Sequence, residues 1–227
     1  MCGRFTLTSS GQAVAESFDL DEVPELRPRF NIAPSQMVTV IRADTIDAPF
    51  AAQHRWGLVP SWARDSSIGN RLINARSESA ADKPAFRSAL RKRRCIVPAD
   101  GFYEWGGPGR IRQPHLFRRP DRRPFGMAGL WEHRRVDGGA VLLTCTLLTT
   151  RANQVVGSVH PRMPVILEPR DYQRWLDPEL VEPGRLLSLF EPCASEVLEV
   201  APVGLRVNDP RHDDPECLEA PGPSLPL

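Results

Sequence analysis

Frequent proline and glycine residues constrain this 227-residue chain more than any other feature of its sequence. It contains 23 prolines and 16 glycines, spread along its whole length. Proline interrupts helices and central strands, and glycine marks turns, so most elements must be short. A chain of this length usually forms one domain and buries enough surface to fold without disulfide bonds.

Strand-like runs outnumber helical ones and do not alternate regularly with them. The clearest are MVTVIR at 37–42, RCIVPADGFYEW at 94–105 and AVLLTCTLLTT at 140–150. Helical patterns occur at 9–20, capped by Ser9 or Ser10, and at 82–94, capped by Asp82. We therefore predict an α+β fold, with a single domain whose core is a bent, mainly antiparallel sheet or barrel and whose short helices are peripheral.

Charged, apolar and proline-rich segments indicate the cellular location of the protein and the extent of its ordered domain. Charged residues interrupt the first thirty positions, which argues against a signal peptide. The longest apolar run, 141–148, is much shorter than the roughly 20 residues that span a bilayer. We expect a cytoplasmic protein without a membrane partner, and a monomer. The acidic, proline-rich segment 209–227 is expected to be a flexible tail after a domain at 2–208.

Charge is unevenly distributed along the chain. Residues 1–167 carry 24 Lys and Arg against 15 Asp and Glu, whereas residues 168–227 carry 5 against 13. The arginine excess fits either a coding bias or a surface that binds a polyanion. Five cysteines and five histidines show no metal-ligand spacing, so we expect no metal and no cofactor.

Cysteine at position 2 is chemically distinctive. Initiator methionine is generally removed when the next side chain is small, and the mature chain would then begin with Cys2. Such a residue offers an α-amine and a thiol on adjacent carbons. A terminal α-amine has a pKa of about 8, so a substantial fraction is neutral and nucleophilic at cellular pH.

Three further polar residues are candidates for chemistry. Glu104 lies between two aromatic residues, which predicts partial desolvation and a raised pKa; the alternative is a solvent-facing strand position. His160 precedes a strand and is either a proton-transfer group or a structural histidine. Asn74 follows an apolar pair within INARSES.

Several apolar residues stand beside basic ones. They either stack on or wedge against nucleobases, or belong to the core. The candidates for stacking are Trp56, Trp62, Met163 and Pro164.

Eight blocks in order resemble one known family. They are MCGRF, RFNIAP, WGLVPSW, INARSES, RRCIVPADGFYEW, AGLWE, TTRANQVVGSVHPRMPVIL and VN at 207–208. The chain is similar over 2–208 to the SRAP family, the SOS response-associated peptidases, described as abasic-site processing proteins. An ordered series of this kind is far more specific than one short motif.

The resemblance implies a fold, a substrate and a site. It implies the SRAP fold and, as the partner, single-stranded DNA that contains an abasic site. It also implies that binding takes place at the nucleoid, during the SOS response to DNA damage. The implied catalytic residues are Cys2, Asn74, Glu104 and His160. The implied DNA contacts are Arg4, Arg76 and Arg162. Pro161 departs from the family pattern, in which a polar residue is expected beside the histidine.

Residue chemistry and resemblance together predict the reaction. The α-amine of Cys2 attacks the sugar aldehyde to form an imine, and its thiol then closes a thiazolidine ring. Because both groups belong to one residue, ring closure is intramolecular and gains a high effective molarity. The imine also permits an AP-lyase side reaction, and the same residues allow self-processing as a peptidase. Two alternatives stay open: a cysteine peptidase that uses Cys2 on peptides, and a non-covalent single-strand DNA-binding protein.

Overall fold

The computed structural model describes residues 2–45, 48–107, 112–135 and 138–222. The described strands are β1 (Phe5–Leu7), β2 (Arg29–Ile32), β3 (Met37–Ala43), β4 (Pro49–Trp56), β5 (Asn74–Arg76), β6 (Arg94–Ala99), β7 (Gly101–Gly106), β8 (Gln113–Arg118), β9 (Phe125–Arg135), β10 (Val141–Arg151), β11 (Arg162–Pro164), β12 (Ile166–Leu167) and β13 (Glu199–Pro202). The α-helices are α1 (Gly11–Phe18), α2 (Ser77–Ala80), α3 (Arg87–Lys92), α4 (Gln154–Gly157) and α5 (Tyr172–Leu176). Short 3-10 helices lie at Ser66–Arg71, Pro169–Asp171, Pro183–Phe190, Ser195–Val197, Leu205–Asn208 and Pro215–Leu218.

Two sheets form the body of the molecule. Five strands close into a barrel in the order β4, β3, β6, β9 and β10, with β10 pairing again with β4. Only the β10–β4 contact within this ring is parallel. A second, antiparallel sheet has the order β13, β8, β7, β1 and β2. The α+β fold with a mainly antiparallel barrel and short peripheral helices is therefore confirmed.

Aromatic side chains join the two sheets in the core. Phe5 of β1 contacts Trp56 of β4 edge to face, with ring centroids 5.2 Å apart. The indole N–H of Trp56 donates to the Ile73 carbonyl at 2.8 Å. These contacts fix the N-terminal strand against the barrel, which determines where the residues that precede β1 lie.

Of the two predicted helices, the structure contains one as expected and the other only in part. Helix α1 begins after Ser10, whose hydroxyl accepts from the Ala13 N–H at 3.2 Å, and it buries Val14 and Phe18. The predicted helix over 82–94 is wrong in extent, because only α3 is helical there and no side chain caps its first turn.

The acidic C-terminal segment, expected to be a flexible tail over 209–227, contacts β2 in its described part. The Asp213 carboxylate pairs with Arg29 and accepts from the backbone N–H of Asn31 at 2.9 Å. The Asn31 amide in turn donates to carbonyls of this segment. An acidic residue of this segment therefore finds hydrogen-bond donors on β2. Residues 223–227 lie outside the described part.

A buried histidine predicts how stability depends on pH. His54 of β4 is buried, and its ring lies 5.7 Å from that of Trp131. Burial, aided by the positive charge of Arg42, lowers the pKa of His54 from 6.5 to about 4. The unfolded chain therefore binds this proton at a higher pH than the folded chain. Stability from a neutral His54 is present above pH 6.5 and is lost as pH falls towards 4.

We expect acidification from about pH 7 to about pH 5 to lower the free energy of unfolding of the wild type. The decrease should be about 2 kcal/mol larger than in a His54→Leu variant. Urea unfolding at the two pH values measures this difference. His133→Gln is the matched control, because His133 is exposed on β9. Identical pH dependence in wild type and His54→Leu would contradict the assignment.

Candidate active site

Cys2 lies immediately before β1, and the pairing of β1 with β7 sets its position. The Tyr103 N–H donates to the Arg4 carbonyl at 2.9 Å, which brings the N-terminal residues alongside β7. Cys2 is a free, buried cysteine whose Sγ lies 3.9 Å from the Arg4 carbonyl oxygen. Burial, together with the negative charge of Glu104, raises the pKa of the Cys2 thiol. The thiol is therefore protonated in this environment and needs a base to become nucleophilic.

Asn74 holds the backbone of residue 2. It begins β5, which runs parallel to β10 with Asn74 opposite Leu147. The Asn74 Nδ2 donates to the Cys2 carbonyl at 2.8 Å. Its Oδ1 is buried and receives no hydrogen bond from the described residues. One amide thus orients Cys2 and leaves a buried acceptor oxygen unused by the described residues.

Glu104 of β7 is the carboxylate whose negative charge acts on the Cys2 thiol. Its relative exposure is only 3 %, which confirms the desolvation that its aromatic neighbours predicted. Burial raises the pKa of Glu104, and the neighbouring His160 acts in the opposite direction. A carboxyl group whose pKa is raised above its ordinary value is better suited to proton transfer than an exposed carboxylate.

His160 completes the site between α4 and β11. Its Nδ1 lies 3.8 Å from Glu104 Oε1. The same nitrogen lies 3.1 Å from the backbone nitrogen of Arg162 and 3.0 Å from its carbonyl oxygen. Each tautomer of the ring therefore has a backbone partner, which suits a group that donates and accepts protons.

Pro161, the departure from the family pattern, shapes this turn. Its carbonyl accepts from the Ala152 N–H at 3.0 Å, which ties the turn to the end of β10. Since proline has no N–H, the backbone donor available to His160 is that of Arg162.

The three predicted arginine contacts differ in their surroundings. Arg76 of β5 is exposed. Arg162 forms a bidentate ion pair with Glu78. Arg4 donates to Asn31 Oδ1 at 2.7 Å and lies against the Trp105 ring at 5.7 Å, so it is partly committed to internal contacts.

The structure separates the apolar residues that were predicted to stack on bases. Trp62 is 61 % exposed, whereas Trp56 and Met163 are 1 % and 0 % exposed and Pro164 is also buried. Stacking by Trp56, Met163 and Pro164 is therefore incompatible with their core positions. For Met163 the reason is β11, where its sulfur accepts from the Asn153 N–H at 3.3 Å.

Two residues near the site make contacts that the sequence did not indicate. The indole of Trp105 donates to Asn208 Oδ1 at 2.6 Å, which links β7 to the C-terminal segment. Thr149 is buried on β10, and its carbonyl accepts from Arg162 at 2.6 Å. A polar residue inside the apolar run of β10 was the available signal for Thr149.

The described part of the chain offers neither a cation site nor a membrane span. No three His, Cys, Asp or Glu side chains cluster there as metal ligands. No helix in the described ranges has the length and apolar character needed to cross a bilayer.

The arrangement combines a nucleophile with proton-transfer groups. Cys2 offers a thiol, Glu104 and His160 lie 3.8 Å apart, and the Asn74 amide holds the Cys2 carbonyl. Such a site can carry out covalent chemistry on an electrophilic carbon such as a carbonyl.

Sequence comparisons identify similar proteins. A family model described as "SOS response associated peptidase (SRAP)" matches residues 1–210. The abasic site processing protein YoqW of Bacillus subtilis is 39% identical over 224 residues, covering 97% of this chain and 100% of YoqW. The abasic site processing protein HMCES of Gallus gallus is 35% identical over 190 residues, covering 72% of this chain and 55% of HMCES.

Solved structures share the fold. A Bacteroides thetaiotaomicron protein has a TM-score of 0.84 at 24% identity, covering 96% of this chain and 99% of that one. A Bordetella bronchiseptica protein has a TM-score of 0.77 at 28% identity, covering 90% and 100%.

Proposed function

Since this chain belongs to the SRAP family of SOS response associated peptidases, we propose that it captures abasic sites in single-stranded DNA as a covalent adduct of Cys2. The resemblance carried by the eight sequence blocks is thereby confirmed at the level of the family. Relatives with 39% and 35% identity are both named abasic site processing proteins, which supports abasic-site handling.

One observation carries the proposal: the Asn74 amide holds the Cys2 carbonyl at 2.8 Å beside the Glu104–His160 pair. A cysteine with an incidental role at the start of a chain needs no such anchor. The anchor fixes the α-nitrogen and Sγ of one residue next to two proton-transfer groups.

The reaction begins after removal of Met1, which exposes the α-amine. The amine attacks the aldehyde carbon of the ring-opened sugar, and loss of water gives an imine. The Cys2 thiol then adds to the imine carbon and its proton passes to the nitrogen, which closes a five-membered thiazolidine. Because the thiol is already positioned, this second step competes well with escape from the imine.

Each neighbouring side chain has a role in this sequence. Glu104 accepts a proton from the α-ammonium and relays one from the thiol, whose raised pKa makes such help necessary. His160 protonates the departing hydroxyl during loss of water. The unused Oδ1 of Asn74 accepts a hydrogen bond from the substrate. If the imine loses its phosphate by β-elimination instead, the strand is cleaved, which is the AP-lyase side activity.

The surroundings fit a single strand without base-specific contacts. Arg76 and Trp62 are exposed and available for a phosphate and a base face, and Arg4 and Arg162 lie nearer the site. We propose a monomer that acts in the cytoplasm, at the nucleoid during the SOS response. Self-processing as a peptidase is the corresponding proposal for removal of Met1.

A denaturing gel tests the function. Wild-type protein incubated with an abasic single-stranded oligonucleotide should give a slower band that survives denaturation, and the intact oligonucleotide should give none. Equal, salt-labile binding of both strands without an adduct would favour a plain DNA-binding protein. Turnover of a peptide library without any DNA adduct would favour a cysteine peptidase.

A further inference from the structure

The guanidinium of Arg162 is already occupied in the absence of DNA. Its two terminal nitrogens donate to both carboxylate oxygens of Glu78, at 2.5 and 2.9 Å. One of them also donates to the carbonyl and hydroxyl oxygens of Thr149, at 2.6 and 3.2 Å. Both nitrogens that could grip a phosphate are thus committed to protein acceptors.

A paired carboxylate presents the same geometry as a phosphate to an arginine. Two oxygens bound to one central atom accept parallel N–H bonds in either case, which is why arginine recognises both groups bidentately. The Glu78 carboxylate therefore sits where two phosphate oxygens of a strand would sit on Arg162. Glu78 and a DNA phosphate exclude each other there, because both are negatively charged and bind the same face.

The surroundings allow the exchange. Arg162 is mostly buried, whereas the Glu78 side chain is 54 % exposed, so the carboxylate is the mobile partner. Glu78 also lines an open cleft of about 420 Å³ beside Ala81 and Leu187, which gives it room to turn away. Because the Glu78 side of the pair is exposed to solvent, the pair is weak enough for a phosphate to displace the carboxylate in part of the bound population.

We propose that Glu78 is a specificity-determining residue that competes with strand phosphate for Arg162. This inference depends on the proposed capture of abasic sites. Competition weakens the non-covalent binding of every single strand, but only an intact strand can then dissociate. A strand with an abasic site is retained by its bond to Cys2. Glu78 therefore keeps the protein from occupying undamaged strands, at little cost to capture.

The test is equilibrium binding of a fluorescent intact single strand over a range of salt concentrations. Glu78→Gln keeps the size of the side chain and removes its charge. The dissociation constant should fall by about three-fold, the order of effect expected when a weak competing ion pair is removed. The slope of the logarithm of the association constant against the logarithm of salt concentration should steepen by up to about 0.7, because Arg162 then neutralises a phosphate in every complex. Glu78→Ala should change both quantities in the same direction.

The matched control is Asp121→Asn. Asp121 holds Arg119 through two hydrogen bonds in the turn after β8, and the substitution removes the same single charge. It should leave the salt slope unchanged. An unchanged slope in both Glu78 variants, or weaker binding by them, would overturn the proposal.

An abasic strand is incubated with the wild type in parallel. If no adduct forms, the proposed function fails, whatever the salt slopes. If the adduct forms while the slopes of wild type and Glu78 variants coincide, only the assignment of Glu78 fails.

Discussion

Replacing Cys2 with alanine is expected to abolish the denaturation-resistant complex with abasic single strands. After removal of Met1, alanine still offers an α-amine and can form the imine, but it has no thiol to close the ring. The imine then reverts or undergoes β-elimination, so strand cleavage should persist while the adduct disappears. A denaturing gel with a labelled abasic oligonucleotide measures both products in one lane.

Cys193→Ala is the control for this experiment. Cys193 is the cysteine with partial solvent exposure among the five, and its sulfur accepts from Asn153 rather than facing Cys2. The Cys193 variant should form the adduct at the wild-type rate. An undiminished adduct with Cys2→Ala, or its loss with Cys193→Ala, would show that the reactive thiol has been misassigned.

Replacing Glu104 with glutamine should slow adduct formation by about 10²- to 10⁴-fold, the usual contribution of a general acid–base group. Glutamine keeps the size of the side chain but cannot carry protons. In the wild type the rate should rise with pH as Glu104 loses its proton. The midpoint of this acid limb should lie above pH 4.5, because burial raises the pKa of Glu104 over that ordinary value. Single-turnover rates across pH should show this limb in the wild type and lose it in the variant.

The same substitution should stabilise the folded protein at neutral pH. The folded-state pKa of Glu104 is raised, so the folded chain holds its proton at a pH where the unfolded chain has lost it. The stability that the protonated carboxyl provides is present below 4.5 and is lost as pH rises through the folded pKa. Glu104→Gln escapes this loss and should melt at a higher temperature than the wild type near pH 7.5.

Glu132→Gln is the matched control, because Glu132 is equally buried but pairs with Arg93 at 2.9 Å. Removing that partnered charge should lower the melting temperature and leave the adduct rate unchanged. A lower melting temperature for Glu104→Gln would show that its carboxylate stabilises the fold, and a wild-type rate would exclude it from the chemistry.

Local signals in the sequence were enough to predict part of the fold. The Ser10 cap and the spacing of Val14 and Phe18 define α1 because a helix depends on its own side chains. The apolar run at 140–150 predicted β10, but not that it pairs with four other strands. Closure of the barrel depends on contacts between distant segments, which no local pattern contains.

The same distinction applies to the site. The chemistry of Cys2 and the desolvation of Glu104 followed from the residues themselves, whereas Asn74 and His160 were candidates that the family resemblance assigned to the site. Burial of Trp56 could not be predicted, because tryptophan suits both a core and a stacking surface. The Glu78–Arg162 pair joins β11 to α2 across 84 residues and has no sequence signature.

Intact mass spectrometry of the wild-type protein with an abasic oligonucleotide tests the central claim most directly. The account predicts a polypeptide that has lost Met1 and a single adduct whose mass is the sum of polypeptide and oligonucleotide minus one water. Ring closure adds no further mass change, and the adduct should persist without a reducing agent. A polypeptide that retains Met1 and still forms the adduct in equal yield would contradict the claim that the α-nitrogen and sulfur of Cys2 act together.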